Sequence, residues 1–423
     1  MLYFPFIYFT TLLLAVIRKR GFDMSAYMIF IYAISSFFSI ILYNLYNQNY
    51  DYDLVYFSKI DISPLPTIIY CGLITFCIYP FYKYNSNRLN ISNIAPLKNS
   101  TFFKGLIFIF ISVFILIILL FYDQIVFNLF IGDLGEIRVD SYNGMTTSIT
   151  DSLTGISRII ATIVMILGHS AYFLIPLFFY SLIINRKQII FNCLILLSST
   201  SPILLGILYA DRSNTFYWVM LFVLCYIWFK KSFSVRQKFY IKIIGSILLT
   251  VLIAYFIAVT TSRFGERDAG AEGSFIIYAG QPFLNFCNLW NNYYNPEWTL
   301  SRIFPFFNFF SEDKISVQDW NNIAYANTQM NINVFYTFLG LFLVDIGRVC
   351  VFLFPFIINR IANISVRLRY SDQYLRVSNI IITFSIAIIL QCGVISYFYT
   401  NIDRYIGLIF FLSVALYMRK SQD

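Results

Sequence analysis

Charge is what this sequence has least of. Only 12% of its 423 residues are Asp, Glu, Lys or Arg, against about one-quarter in a soluble globular domain. A single histidine, His169, leaves no His-based set of metal ligands. The seven cysteines (Cys71, Cys77, Cys193, Cys225, Cys287, Cys350 and Cys392) show neither a disulfide framework nor metal-ligand spacing. Six fall in or beside apolar runs and read as small packing residues, while Cys287 falls in a polar loop. No basic segment precedes the first apolar run, as a cleavable signal peptide requires. Instead Arg18-Lys19-Arg20 follows residues 1–17, so that run reads as a retained helix entering from outside. There is no internal repeat of the inverted-transporter kind.

What is abundant is apolar surface. Hydrophobic residues make up 59% of the chain, and the mean hydropathy is +0.71. A chain of this balance cannot hide its apolar surface in one water-facing core. Its apolar runs are continuous rather than alternating, which excludes barrel strands, and helices of roughly 20 residues are needed to cross a hydrocarbon core. The runs predict eleven transmembrane helices, near 2–17, 24–44, 64–82, 104–121, 158–184, 189–209, 214–229, 242–260, 334–358, 378–398 and 405–418. The expected fold is an all-α polytopic membrane protein, one integral membrane domain over 1–423, with outer loops at 122–157 and 261–333.

The formal charge of +9 points to membrane topology, not nucleic acid, because of where it sits. Alternate connections, from Arg18 to Lys420, hold twenty of the thirty Lys and Arg but only three acids, Asp23, Asp372 and Asp423. That alternation assigns the basic side to the cytoplasm, the N-terminus outside and the C-terminus inside. Of the ten bases left over, eight are arginine: Arg138, Arg158, Arg212, Arg263, Arg267, Arg302, Arg348 and Arg404. The basic side itself is evenly mixed, ten and ten. Arginine retained where cations are disfavoured invites a reason, and its planar fork of donors suits phosphate oxygens. Pairing with acids or snorkelling to headgroups accounts for Arg158, Arg302 and Arg404. Arg138, Arg212, Arg263 and Arg267 are the functional candidates. Arg212 sits in a four-residue turn, and TTSRFGERDAGAEGSF sets Arg263 and Arg267 beside the carboxylates of Glu266 and Asp268.

Other features carry two readings each. The 261–333 loop holds Tyr278, Trp290 and Trp298 among amides, with Tyr336 just beyond it. Aromatic faces with nearby amides suit sugars, and an interfacial belt uses the same residues. Asp345 and Arg348 lie three apart in one apolar segment, which places them on one helical face as a structural intramembrane pair. His169 reads as a buried, hydrogen-bonded histidine. Asp51-Tyr52-Asp53 is a DxD that could hold a divalent metal at a sugar phosphate.

GEIRVDSYNG around Arg138, ADRSNTF at Arg212, SRFGERDAG opening the long loop and NINVFYTFLGLFLVDIGRV after it resemble the O-antigen and oligosaccharide repeat-unit polymerase family of bacterial envelopes. The resemblance implies a fold similar to multispan lipid-dependent (GT-C-like) glycosyltransferases in the bacterial inner membrane. It implies transfer of a growing glycan from undecaprenyl pyrophosphate to an incoming lipid-linked repeat unit on the periplasmic face, without cofactor or metal. Arg212, Arg263, Arg267, Glu266 and Asp268 would then be catalytic, and Arg138, Tyr278, Trp290, Trp298 and Tyr336 would bind substrate. The implied partners are undecaprenyl-pyrophosphate-linked oligosaccharides, membrane lipid and a chain-length regulator protein. A flippase or transporter of the same lipid-linked sugar, an O-antigen ligase-like transferase and a metal-dependent transferase using Asp51 and Asp53 are the alternatives.

Overall fold

The computed structural model describes residues 1–48, 61–84, 86, 94–96, 100–132, 134–137, 153–264, 270–293, 300–309, 322, 325–326, 335–366 and 375–420. Among these there is no strand, only an isolated bridge between Ile94 and Leu375. The helices begin and end where local chemistry tells them to. Helix α1 (Phe4–Arg20) has proline in its first turn and carries Arg18, Lys19 and Arg20 in its last, against the negative end of its dipole. Gly21, at φ 74°, ends it and donates its N–H to the Ile17 carbonyl at 2.8 Å. Asp23 then opens α2 (Met24–Gln48), its Oδ1 accepting the Ala26 N–H at 3.0 Å. Helix α3 (Pro64–Lys83) also starts on proline.

The rest of the chain follows as α4 (Ser100–Phe130), α5 (Ile156–Ser170), α6 (Leu174–Ile184), α7 (Ile189–Ser198), α8 (Ser201–Leu208), α9 (Ser213–Phe229) and α10 (Val235–Phe264). Then come α11 (Gly270–Asn292), α12 (Thr337–Cys350), α13 (Leu353–Val366), α14 (Val377–Cys392) and α15 (Ile402–Lys420). Each of the eleven apolar segments read from the sequence is therefore mainly helical over its described residues, with 393–397 outside any helix. Six spans among the described residues are long and apolar enough to cross a membrane: Met24–Leu45, Pro64–Lys83, Ser100–Phe130, Ile156–Ile184, Ile189–Leu208 and Val235–Ser262. A seventh is added if α12 and α13 are one broken span. Helices α9 and α14 are apolar but shorter.

Three findings differ from the sequence reading. The segment 334–358 is two helices, α12 and α13, bent by 107°. Gly347 breaks α12 at φ 78°, ψ 175°, a backbone region that only glycine adopts readily. That break separates Asp345 from Arg348, so the two do not share a continuous helical face. The second difference lies inside 261–333, where 23 residues form α11 and bury Phe283, Phe286 and Leu289 completely. The third follows from it: Cys287 is fully buried in α11, not in a polar loop. All seven cysteines are free thiols.

The chain divides into two compact units. The first comprises Met1–Asn87, Arg267–Arg367 and Ser385–Tyr405. Its core is aromatic: Tyr70 of α3 packs against Phe9 of α1, Tyr32 of α2, and Phe283 and Phe286 of α11, at ring-centroid distances of 5.1–6.4 Å. Small residues bring α2 and α11 together. Ser35 donates to the Ala279 carbonyl at 2.8 Å and Ser39 to that of Gly280 at 2.6 Å, the mode of contact favoured between helices in lipid. The second unit comprises Arg88–Glu266, Leu368–Phe384 and Ile406–Asp423. Phe411 of α15 stacks there between Phe110 of α4 and Phe173, while Phe179 of α6 packs on Phe222 and Phe229 of α9.

Candidate functional site

The second unit gathers polar side chains where α8 gives way to α9. Helix α8 leaves carbonyls unpaired at its C-terminal end, as every helix does. Asn128, buried in α4, supplies the donor: its amide reaches the Ile207 carbonyl at 3.0 Å and the Leu208 carbonyl at 3.1 Å. Gln124, one turn earlier, holds the Asn128 amide oxygen at 3.0 Å. The chain then turns tightly, with Ala210 at φ 47° and the Asp211 N–H on the Gly206 carbonyl at 2.7 Å. Glycine is needed at 206 because a Cβ there would lie 2.7 Å from the Asp211 carbonyl oxygen. Asp211, one residue before the α9 N-cap, accepts from the Ser213 N–H at 2.9 Å and the Ser213 hydroxyl at 2.8 Å in an Asx turn.

Arg212 is the residue this turn presents. It is only 9% exposed. Its guanidinium donates to the Thr260 hydroxyl oxygen and stands over the Phe256 ring, 5.2 Å from the centroid. Thr260 in turn donates to the Phe256 carbonyl at 2.6 Å, which leaves its lone pairs aimed at the arginine. Beside it, the buried Tyr172 hydroxyl donates to the Asn214 side-chain oxygen at 2.9 Å. The position is thus fixed from α9 and α10 together, with no long flexible connection between them and the guanidinium.

The end of α10 brings in the other arginines as chain positions. Arg263 follows Phe256 and Thr260 at the spacing that keeps one helical face. One residue before it, the Ser262 hydroxyl accepts the Gly135 N–H at 2.9 Å. That bond sets the segment 134–137 against the end of α10, three residues before Arg138. Three of the stretches singled out from the sequence therefore converge here. Arg138, Glu266, Arg267, Asp268, Trp298 and the Asp51–Asp53 pair lie outside the described residues. Sequence reasoning missed Thr260, Asp211 and Asn128, since an isolated Thr, Asp or Asn at a helix end has no distinguishing pattern.

The first unit places the remaining candidates. Asp345 is fully buried and accepts the Ile303 N–H at 3.1 Å. Arg348, beyond the Gly347 break, donates to the Asn291 carbonyl at 3.1 Å. Asn291 also accepts from the Ser63 hydroxyl at 3.0 Å. Trp290 is buried between Phe286 and Phe352, and Tyr336 is buried just before α12. Tyr278 is half-buried, its ring 5.1 Å from that of Phe335. Arg404 lies over the Phe398 ring at 4.9 Å; in the second unit, His169 is buried at the end of α5. Among the described residues no group of three His, Cys, Asp or Glu has the arrangement of a metal site.

Fold and composition together define a helical multi-pass membrane protein. Comparison with protein-family models, with curated proteins and with solved structures finds no match to the chain.

Proposed function

We propose that this protein is a glycosyltransferase of the bacterial inner membrane, polymerising undecaprenyl-pyrophosphate-linked repeat units into O-antigen or a related surface polysaccharide. The observation that carries the reading is Arg212: a residue only 9% exposed, its guanidinium held to Thr260 at a helix end, with Arg263 one turn beyond Thr260 along α10. In the proposed reaction the acceptor sugar hydroxyl attacks the anomeric carbon of the donor glycan. The bond from that carbon to the pyrophosphate oxygen breaks, and undecaprenyl pyrophosphate leaves with the electron pair. Charge grows on the phosphate oxygens as the bond opens, and arginines already oriented there lower the barrier without reorganising. The hydroxyl proton passes to a carboxylate, for which Glu266 and Asp268 are the candidate bases. Both lipid tails lie in the bilayer, which keeps the reacting groups at one depth. The outer, periplasmic face is assigned to this chemistry by the charge alternation, with the N-terminus on that face and the C-terminus in the cytoplasm. A chain-length regulator is the expected protein partner.

The test is complementation of a strain lacking the gene. Arg212→Ala and Arg263→Ala are each expected to abolish the long-chain ladder while the protein still inserts in the membrane. Arg212→Lys is expected to be damaging too, because an ammonium lacks the bidentate fork. A normal ladder from the Arg212→Ala strain would overturn the pyrophosphate clamp.

One observation favours a second reading. Broken helices with a buried acid are a device of transporters, and α12 and α13 form a pair bent by 107° near the buried Asp345. Purified protein in detergent separates the two, since detergent abolishes sidedness. A polymerase still forms longer glycans from lipid-linked repeat units there, and a flippase forms none.

A further inference from the structure

Helices α1 and α3 of the first unit are joined at two points and apart between them. At one end the Tyr8 hydroxyl and the Thr75 hydroxyl share a hydrogen bond at 3.1 Å. At the other, Arg20 donates to the Tyr82 carbonyl and lies over the Tyr82 ring, 4.2 Å from its centroid. Between these staples is a groove of about 270 Å³. Its walls are every third or fourth residue of α1 from Leu12 to Lys19 and of α3 from Thr75 to Tyr82, and its floor is the buried Ile29 of α2. Ala15, the smallest wall residue, widens the gap between the two contacts.

The groove is graded along its length. Apolar side chains line most of it over about 10 Å of helix, and it ends at the exposed Lys19, with Tyr79 and Tyr82 opposite, their rings 6.3 Å apart. Arg18 is exposed beside it, and Lys83 ends α3. Arg18, Lys19 and Arg20 belong to the basic side of the chain, and the roughly half negative charge of the α1 dipole at this end leaves them net positive. Arg20 is engaged with Tyr82, which leaves Lys19 as the cation that faces the groove. An apolar slot ending in a cation flanked by tyrosines is the complement of an acyl chain ending in a negatively charged headgroup.

We propose that the α1–α3 groove binds one acidic glycerophospholipid, its acyl chain lying against Leu12, Ala15 and Ile78 and its phosphate on Lys19 and Arg18. This site is independent of the proposed polymerase chemistry. A zwitterionic lipid fits the slot but gains less from the cations, because its ammonium offsets its phosphate.

The experiment is native mass spectrometry of the full-length protein, released from phosphatidylcholine bilayers with and without phosphatidylglycerol. The wild type is expected to retain phosphatidylglycerol in preference to phosphatidylcholine. Lys19→Gln should weaken that retention about fivefold, the usual effect of one cation at a headgroup, with a smaller effect on phosphatidylcholine, and Lys19→Arg should preserve it. Ala15→Phe should lower retention of both lipids by filling the slot. Lys19 is exposed, so the Gln and Arg variants decide the matter even if Ala15→Phe melts early. Equal retention of the two lipids by the wild type, or unchanged preference in Lys19→Gln, would overturn the proposal. So would a polyprenyl phosphate that displaces phosphatidylglycerol from the groove.

Discussion

A buried arginine in a membrane protein needs a partner at every donor it turns inward, and Arg212 shows how one is supplied. Thr260 donates its own proton to the Phe256 carbonyl and is thereby obliged to accept from the guanidinium. Thr260→Val keeps the shape and removes the acceptor. The loss of one hydrogen bond to a charged group is expected to lower kcat/KM for chain extension about tenfold, with Thr260→Ser near wild type. Steady-state rates on purified lipid-linked repeat units check this, and a Thr260→Val enzyme as fast as wild type would show that the anchor does not matter to catalysis. Arg212 was legible in the sequence because arginine stands out among bases on the side where cations are scarce. Thr260 was not legible. A threonine in a helix commonly bonds back to the carbonyl four residues earlier, and only the approach of α9, 48 residues away in sequence, turns that bond into a socket.

At the scale of elements, α11 is where hydropathy and structure part. Its sequence, with three glycines, Pro282 and a series of amides, has the composition of a loop. The amides are satisfied internally instead: Asn285 reaches the Gln281 side chain at 3.2 Å and the Phe335 carbonyl at 2.8 Å, and Asn292 the Asn288 side chain at 2.8 Å. A window average counts such residues as water-loving, whereas a helix that pairs its amides with each other can bury them. Gly280 serves contact. A Cβ at Gly280 would lie 2.5 Å from the Phe38 carbonyl oxygen, backbone that cannot yield without moving α2. Gly280→Ala is expected to destabilise the first unit by ~1–3 kcal/mol, read as a lower Tm in detergent. Gly347→Ala should cost a similar ~1–3 kcal/mol, for a different reason: its φ of 78° and ψ of 175° exclude a side chain. An unchanged Tm in Gly347→Ala would mean that the α12 break is not required by that residue.

The whole molecule is organised by where its charges stand relative to lipid. Twenty bases on alternate connections, with three acids among them, predict an N-terminus outside and a C-terminus inside. A reporter active only in the cytoplasm, fused after Asp423, is therefore expected to be active, and the same reporter fused after Tyr209, in the turn that carries Arg212, to be silent. The reverse pattern would place Arg212 on the cytoplasmic face and remove the proposed chemistry from the periplasm. Every apolar segment proved mainly helical, yet only six spans, or seven with the bent pair, meet the length and composition of a crossing among the described residues. Helices α1 and α9, with 17 residues each, are near the lower limit at which a helix spans the hydrocarbon.

Sequence alone determined the solvent this protein is built for, the positions of its apolar helices and the sidedness its charges predict. Hydropathy and charge act residue by residue and add along the chain, so they can be read without knowing what packs on what. Tertiary structure alone decided that the 261–333 segment contains a buried helix, that Asp345 and Arg348 stand on opposite sides of a glycine break, and that Arg212 rests on Thr260. Each of these depends on hydrogen bonds and close approaches between residues far apart in the chain. No local pattern records such contacts, because their free energy comes from the partner as much as from the residue itself.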